Sequence, residues 1–284
     1  MEKRLGFVVA IVLNYNSTKD TKKCISYLQK QDYKDFHIVV VDNHSPEQEQ
    51  VEELKRFCKE QEIDLILSDT NNGFSAGNNI GIKKAIELHA EWVLIINPDV
   101  EIRNVHYVSY VMKEVEKWNR VGVAASRILL PTGVNQNPMR ELTASEEILF
   151  PLEILKQKLR KSNYYKTEEV TGFCEKVSGC CFFANVDFLK ENNLLDEHVF
   201  MYCEEPILSK SLVQKGYRAL YIDEIEAYHQ HIDSEKPGNE SKRMISFLNS
   251  RKYYIKKYSR YGVLGKSLAI FARNIQILIW KVKK

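Results

Sequence analysis

The sequence predicts an α/β domain with a mostly parallel central sheet, and three observations predict it. Short continuous apolar runs at 7–13, 36–41 and 92–96 have the composition of strands covered on both faces. The segments between them repeat apolar residues at helical spacing. The runs end in polar clusters: Asn14-Tyr15-Asn16, Asp42-Asn43-His44-Ser45 and Asn97-Pro98-Asp99. In open α/β sheets, ligands bind beyond such carboxyl-terminal strand ends.

The elements follow in order. Residues 7–13 form the first strand and 18–29 the first helix. Strand 36–41 leads through Pro46, a residue suited to a first helical turn, into a helix that reaches residue 61. Its apolar face carries Val51, Leu54, Phe57 and Cys58. Residues 63–67 make a short strand. A loop rich in Asn and Gly, beginning at Asn71, opens a helix over 76–89, and 92–96 is the next buried strand. A helix over 104–117 and a strand over 121–128 come next. The segment 130–166 has little periodicity and contains Pro131, Pro138 and Pro151. Its length predicts an insertion with a helix near 152–160. A strand over 176–185 is interrupted at Gly179, and a short helix covers 188–192. Glu204-Glu205 precede an amphipathic stretch over 207–215, closed by Gly216 as C-cap. Residues 219–222 form a short strand, and His229 and His231 lie in the polar loop after it.

The 284 residues suffice for one large domain or two modest ones, and 44% apolar with 28% charged residues is ordinary for a soluble globular chain. The net charge of +3 conceals an asymmetry. Residues 241–284 hold 12 Lys and Arg and no acidic residue, while the remainder holds 29 basic and 38 acidic residues, a balance of −9. Within this basic tail Leu264, Leu268, Phe271, Ile275, Leu278 and Val282 form an apolar helical stripe, with Lys266 and Arg273 on other faces. An in-plane membrane helix fits this pattern. So does a helix docked on its own domain or on a second subunit of an oligomer. Nucleic-acid binding would need a recognition module that the sequence does not contain, so no nucleic-acid partner is expected. Six cysteines without CxxC spacing read as reduced thiols of a cytoplasmic protein. Residues 5–13 are too short for a secretory signal and run into a polar cluster. No uncharged apolar run reaches the length of about 18 that marks a spanning helix.

Several residues carry candidate chemistry. Asp42, at a buried strand end, suits hydrogen bonds to a base or a ribose; a helix cap or turn residue is the structural alternative. Asp99 is a hard oxygen donor suited to Mg²⁺ or Mn²⁺. The Asn/Gly loop is neither G-x-G-x-x-G nor G-x-x-x-x-G-K-[ST], which weakens the dinucleotide and ATP-hydrolase readings. Gly77 and Gly81, four apart, suit close helix–sheet packing, while Asn72, Asn78 and their neighbours offer donors and acceptors. The pair Glu204-Glu205 suits general-base work, because adjacent carboxylates raise each other's proton affinity.

Together these pieces resemble family 2 inverting glycosyltransferases of the GT-A fold, most closely the rhamnosyltransferase-like bacterial branch. The matching segments are Val12-Leu13-Asn14-Tyr15-Asn16, Val40-Val41-Asp42-Asn43-His44-Ser45, Asn72-Gly73-Phe74-Ser75-Ala76-Gly77-Asn78-Asn79-Ile80-Gly81, Asn97-Pro98-Asp99-Val100, Gly179-Cys180-Cys181, Phe200-Met201-Tyr202-Cys203-Glu204-Glu205 and Tyr228-His229. The resemblance implies that Leu13, Asn14, Tyr15, Asp42, Asn72, Gly73, Asn78 and Asn97 line the donor nucleotide site. Asp99 resembles the last Asp of the metal-binding DxD motif, whose first carboxylate is here Asn97. His229 resembles the downstream metal ligand, with His231 less well placed. Glu205 resembles the catalytic base, with Glu204 as its alternative.

The implied reaction is inverting transfer from a nucleoside-diphosphate sugar, with Mg²⁺ or Mn²⁺ as cofactor, to a glycan or lipid-linked oligosaccharide of the bacterial cell surface. dTDP-rhamnose is the preferred donor and a UDP-hexose the alternative. The expected layout is a GT-A domain over 1–240, its nucleotide-sugar half at 1–103 and its acceptor and catalytic half at 104–240, followed by the basic amphipathic helical tail at 241–284. The location implied is cytoplasmic, peripheral at the inner face of the membrane. Competing readings are a sugar-nucleotide nucleotidyltransferase, which should show a basic Gly-rich loop near the first strand, and a noncatalytic glycan- or membrane-binding scaffold.

Overall fold

The computed structural model describes residues 6–149, 168–230 and 240–282. The chain alternates β1 (Val8–Asn14), α1 (Thr18–Leu28), β2 (Phe36–Asp42), α2 (Gln48–Glu60), β3 (Asp64–Leu67), α3 (Phe74–Glu87) and β4 (Trp92–Ile96). There follow β5 (Val100–Glu101), α4 (Tyr107–Val115), β6 (Val121–Leu129), α5 (Ala144–Ile148), β7 (Gly172–Cys174), β8 (Cys181–Asn185) and α6 (Val186–Glu191). The last described elements are α7 (Glu204–Gln214), β9 (Arg218–His229), α8 (Glu240–Lys257) and α9 (Val263–Val282).

One nine-stranded sheet orders the strands β3-β2-β1-β4-β8-β6-β9-β5, with β7 also on β9. The strands β3, β2, β1 and β4 pair in parallel, and β9 runs parallel to β6. Antiparallel β8 joins these two groups. The sheet is thus largely parallel, and its carboxyl-terminal strand ends gather on one edge. The period of two is visible in β1: Val8, Ala10 and Val12 enter one core, and Val9 and Ile11 the other. Helix α3 lies so close that a Cβ on Gly81 would fall 2.5 Å from Ile11 and one on Gly77 2.6 Å from Leu13.

Differences from the sequence reading cluster in the second half. The two-residue β5 and three-residue β7 carry too little pattern to be anticipated. β8 starts only at Cys181. β9 continues past Ile222 through a bulge and ends at His229, so that histidine sits on a strand rather than in a loop. Helix α7 begins at Glu204, which places both glutamates inside its first turn. The helix expected near 152–160 and His231 fall outside the described residues.

The carboxyl-terminal pair packs on the domain through a third apolar cluster of Val199, Cys203, Ile207, Tyr254, Ile255 and Ala269. A buried ionic triad fastens it. Glu147 of α5 accepts from Arg251 Nε of α8 at 2.8 Å and from Arg273 Nη2 of α9 at 2.6 Å. Arg273, polar in sequence, therefore faces the domain, and Val263–Val282 is also long and apolar enough to cross a membrane.

Candidate active site

A cavity of ≈ 470 Å³ opens where the parallel strands end. It brings together Asn97, Gly179, Glu204, Glu205 and His229, with Gln136 beside them. Asn97 is placed by its backbone N–H, which donates to Cys180 O at 2.8 Å. The turn after it carries Asp99, and pairing of β5 with β9 puts Val100 opposite His229. Gln230 N–H donates to Asp99 O at 2.8 Å, closing this staple. The result is that Asp99 Oδ2 and His229 Nε2 lie 3.2 Å apart.

The imidazole is held from both nitrogens. Nδ1 lies 2.9 Å from Gln136 Oε1, and Nε2 faces Asp99. Both ring nitrogens donating is the pattern of an imidazolium. Burial of His229 works against that charge, but its hydrogen bonds with Asp99 and Cys180 outweigh burial and raise the pKa to about 10. A cation entering between the two residues would displace the proton they share. The residues fit such an ion. Asp99 Oδ1 is buried without a hydrogen-bond partner, and a carboxylate with an imidazole is a donor set suited to Mn²⁺ or Mg²⁺. Among the described residues no group of three or more His, Cys, Asp or Glu side chains converges as a cation site. Such an ion would therefore take the rest of its shell from ligand oxygens and water.

The carboxylate pair is aimed by strained backbone. Tyr202 and Cys203 both adopt left-handed φ values, 73° and 67°, immediately before α7. Two consecutive non-glycine residues there cost energy that packing must offset, a condition typical of functional loops. Packing does so on two sides. Ser250 Oγ of α8 donates to Met201 O at 2.8 Å, and the ring of Phe247 meets Tyr202 edge-on. On the other side Phe74 N–H donates to Phe200 O at 2.9 Å. Gly73, with φ +97°, permits this approach, since a Cβ there would sit 2.0 Å from Phe200 O. Burial, and then the neighbouring Glu205 charge, push the Glu204 carboxyl up to about 8. Glu204 Oε1 has no hydrogen-bond partner, whereas Glu205 Oε1 accepts a long hydrogen bond from Gly179 N–H at 3.4 Å.

The residues expected at the nucleotide lie at the ends of β1 and β2 and around the start of α3. Asp42 Oδ2 accepts from Asn14 Nδ2 and Ser45 Oγ, both at 2.7 Å, and Oδ1 accepts from Ser45 N–H. Asn14 Oδ1 accepts from Thr21 Oγ1 at 2.8 Å and from Ser17 Oγ. Asp42 and Asn14 thus form a buried polar network under the strand ends, with Asp42 holding the turn to Ser45. Tyr15 is half exposed above it, and Leu13 packs beneath α3. Asn72 is exposed and bonds Thr70. Asn78 is buried, donates to Phe74 O, and leaves its Oδ1 without a partner. Asn79 ties α3 to the segment after α6, bonding Leu195 and Glu197. Gln136, Phe247 and the strained Tyr202-Cys203 step are site features that the sequence reading missed. Gln136 lies in a stretch without periodicity, and left-handed backbone at Tyr and Cys has no sequence signal.

The sequence profile of glycosyl transferase family 2 matches residues 9–189. The low-salt glycan biosynthesis hexosyltransferase Agl10 of Haloferax volcanii is 31% identical over 198 residues, 69% of this chain and 58% of that protein. The chain thus spans little more than half of that relative's length. The rhamnosyltransferase WbbL of Escherichia coli K12 is 25% identical over 232 residues, 78% of this chain and 83% of WbbL. Among solved structures, the mannosyltransferase PcManGT from Pyrobaculum calidifontis, in complex with GDP-Man and Mn²⁺, superimposes with a TM-score of 0.59 at 14% identity. That match covers 99% of this chain and 74% of PcManGT, and it shows a GT-A-like α/β fold.

Proposed function

The chain belongs to glycosyl transferase family 2, and from that premise we propose that it is an inverting transferase using a nucleoside-diphosphate sugar and a glycan or lipid-linked acceptor. One observation carries the reading: a single cavity joins the Glu204-Glu205 pair to Asn97 and His229, with Asp99 3.2 Å from the histidine. A hydrolase built on paired carboxylates leaves the Asp99–His229 pair without a task.

Asp99 and His229 would hold Mg²⁺ or Mn²⁺ against the donor diphosphate, and the ion supplies neutralisation of the charge that develops on the leaving nucleoside diphosphate. Glu205 takes the proton of an acceptor hydroxyl. That oxygen forms its bond to the anomeric carbon from the face opposite the diphosphate, whose bond to the same carbon breaks. One displacement inverts the configuration. Gln136 fixes the ring plane of His229, and Gly179 N–H orients Glu205. The half at 1–103 takes the nucleotide in this scheme, with Leu13, Asn14, Tyr15, Asp42, Asn72, Gly73 and Asn78 as its wall. The half at 104–240 takes the acceptor. dTDP-rhamnose is the proposed donor, supported by the likeness to WbbL, and a UDP-hexose the alternative; the product belongs to a cell-surface polysaccharide. Glu204 is the second assignment for the base, favoured by its raised pKa and unpartnered oxygen.

A panel of nucleotide sugars with Mn²⁺ or Mg²⁺, scored by nucleotide release, tests the reading. Release from one donor that chelator suppresses and Glu205→Gln abolishes is the expected outcome. Release unchanged in Glu205→Gln moves the base to Glu204. Donor binding without turnover across acceptors would indicate a scaffold instead.

A further inference from the structure

We propose that the outward face of α9 lies in the plane of an anionic lipid surface, held there as a rigid part of the domain rather than crossing the bilayer. The proposal stands on α9 itself and does not depend on transfer activity.

The helix is amphipathic in an inverted sense. Ala269, Arg273 and Ile277 are its buried residues, and they recur every four positions on the face toward the domain. Half a turn around, Leu264, Leu268, Phe271, Ile275, Leu278 and Val282 form the apolar stripe. That stripe faces outward: Leu264 is 73% exposed, Phe271 63% and Leu278 62%. A helix stabilised only by its own domain would turn the stripe inward. Here the orientation is locked by charge, since Arg273 shares buried Glu147 with Arg251 of α8. Rotating or extracting α9 would leave a buried charge unpaired.

The same arginine speaks against a span. It sits mid-helix, where a bilayer-spanning helix would bring it to the hydrocarbon centre, and its partner belongs to the folded domain. Only one face of α9 is available to lipid, which is the geometry of an interfacial helix.

Charge selects the occupant. From residue 241 onward there are 12 Lys and Arg and no acidic residue; Arg251 and Arg273 are buried on Glu147 and Lys257 pairs with Asp196, while Lys256, Arg260 and Lys281 are exposed near the two ends of α9. A two-fold interface between copies would set this basic surface against itself. Anionic headgroups complement it, while the stripe enters the acyl boundary. The consequence reaches the active site, because α8 packs against α9 and carries Phe247 and Ser250 to the strained loop before Glu204. Docking would therefore hold the side of the cavity lined by Phe247 close to the lipid surface.

The test is co-sedimentation of the full chain with vesicles of phosphatidylcholine alone and of phosphatidylcholine mixed with phosphatidylglycerol. Binding to the mixed vesicles only, weakened by salt, reversed by alkaline carbonate, and reduced about a hundredfold by F271S/L278S, is the expected result. Both substitutions are at exposed positions, and circular dichroism with an unchanged Tm controls for folding. No binding to mixed vesicles, wild-type binding by the double variant, or resistance to carbonate would overturn the proposal. So would a wild-type dimer in light scattering that F271S/L278S splits, since the face would then belong to a second copy.

Discussion

Glu204 gives the sharpest quantitative prediction. Its carboxyl is raised from 4.5 to about 8, first by burial and then by Glu205. A raised acid binds more protons in the folded chain than in the unfolded chain between those two values. Its contribution to stability is therefore fully present below pH 4.5 and is lost as pH rises toward 8. A difference of this size corresponds to a cost of at most about 5 kcal/mol above pH 8, at about 1.4 kcal/mol per pH unit. Glu204→Gln removes the charge but keeps the shape, so it should be more stable than the wild type at pH 9. The advantage should shrink as pH falls and vanish near pH 4.5. Access of solvent from the cavity reduces the gain, and a difference of about 2 kcal/mol or more between the two pH values is expected. Urea unfolding of both proteins at pH 4.5, 7 and 9 measures it, with equal m-values as the check on two-state behaviour. Subtracting the wild type at each pH cancels the titrating groups that do not interact with Glu204, so the difference belongs to Glu204 together with Glu205. A variant no more stable at pH 9 than at pH 4.5, relative to the wild type, would refute the reasoning.

Three further outcomes are expected. Gly73→Ala places a Cβ 2.0 Å from Phe200 O at a φ of +97°, and should cost about 2–4 kcal/mol in thermal unfolding while disordering the loop before Glu204. Glu147→Gln leaves Arg251 and Arg273 without their shared buried carboxylate and should cost about 3–5 kcal/mol in urea, more than any single exposed pair. His229→Ala or Asp99→Asn should weaken Mn²⁺ binding, read by calorimetry in the presence of nucleoside diphosphate, at least about tenfold, while Glu205→Gln leaves it intact.

The amino-acid sequence by itself determined the strands β1, β2 and β4, the helices between them, and the polar clusters at their ends. Those signals are local: an unbroken apolar run means a strand covered on both faces, and a carboxylate at its end is held at the ligand edge whatever the distant chain does. Asp99 stands out for the same reason, whereas His229 and the Glu204-Glu205 pair were singled out by short segments that resemble the family. Tertiary structure alone decided how they meet. His229 becomes a strand residue only because β5 pairs with the end of β9, and its ring is fixed by Gln136, 93 residues away. Asp42 and Asn14 turned out to hold one another beneath the strand ends, since buried polar groups take the nearest partners that packing offers. The tail shows the same division. Periodicity revealed the stripe from Leu264 to Val282, but its direction was set by Arg273 reaching Glu147 across 126 residues. A buried ion pair outweighs the pull of the stripe on the helix's rotation because breaking it strands a charge, and no local pattern encodes that contact.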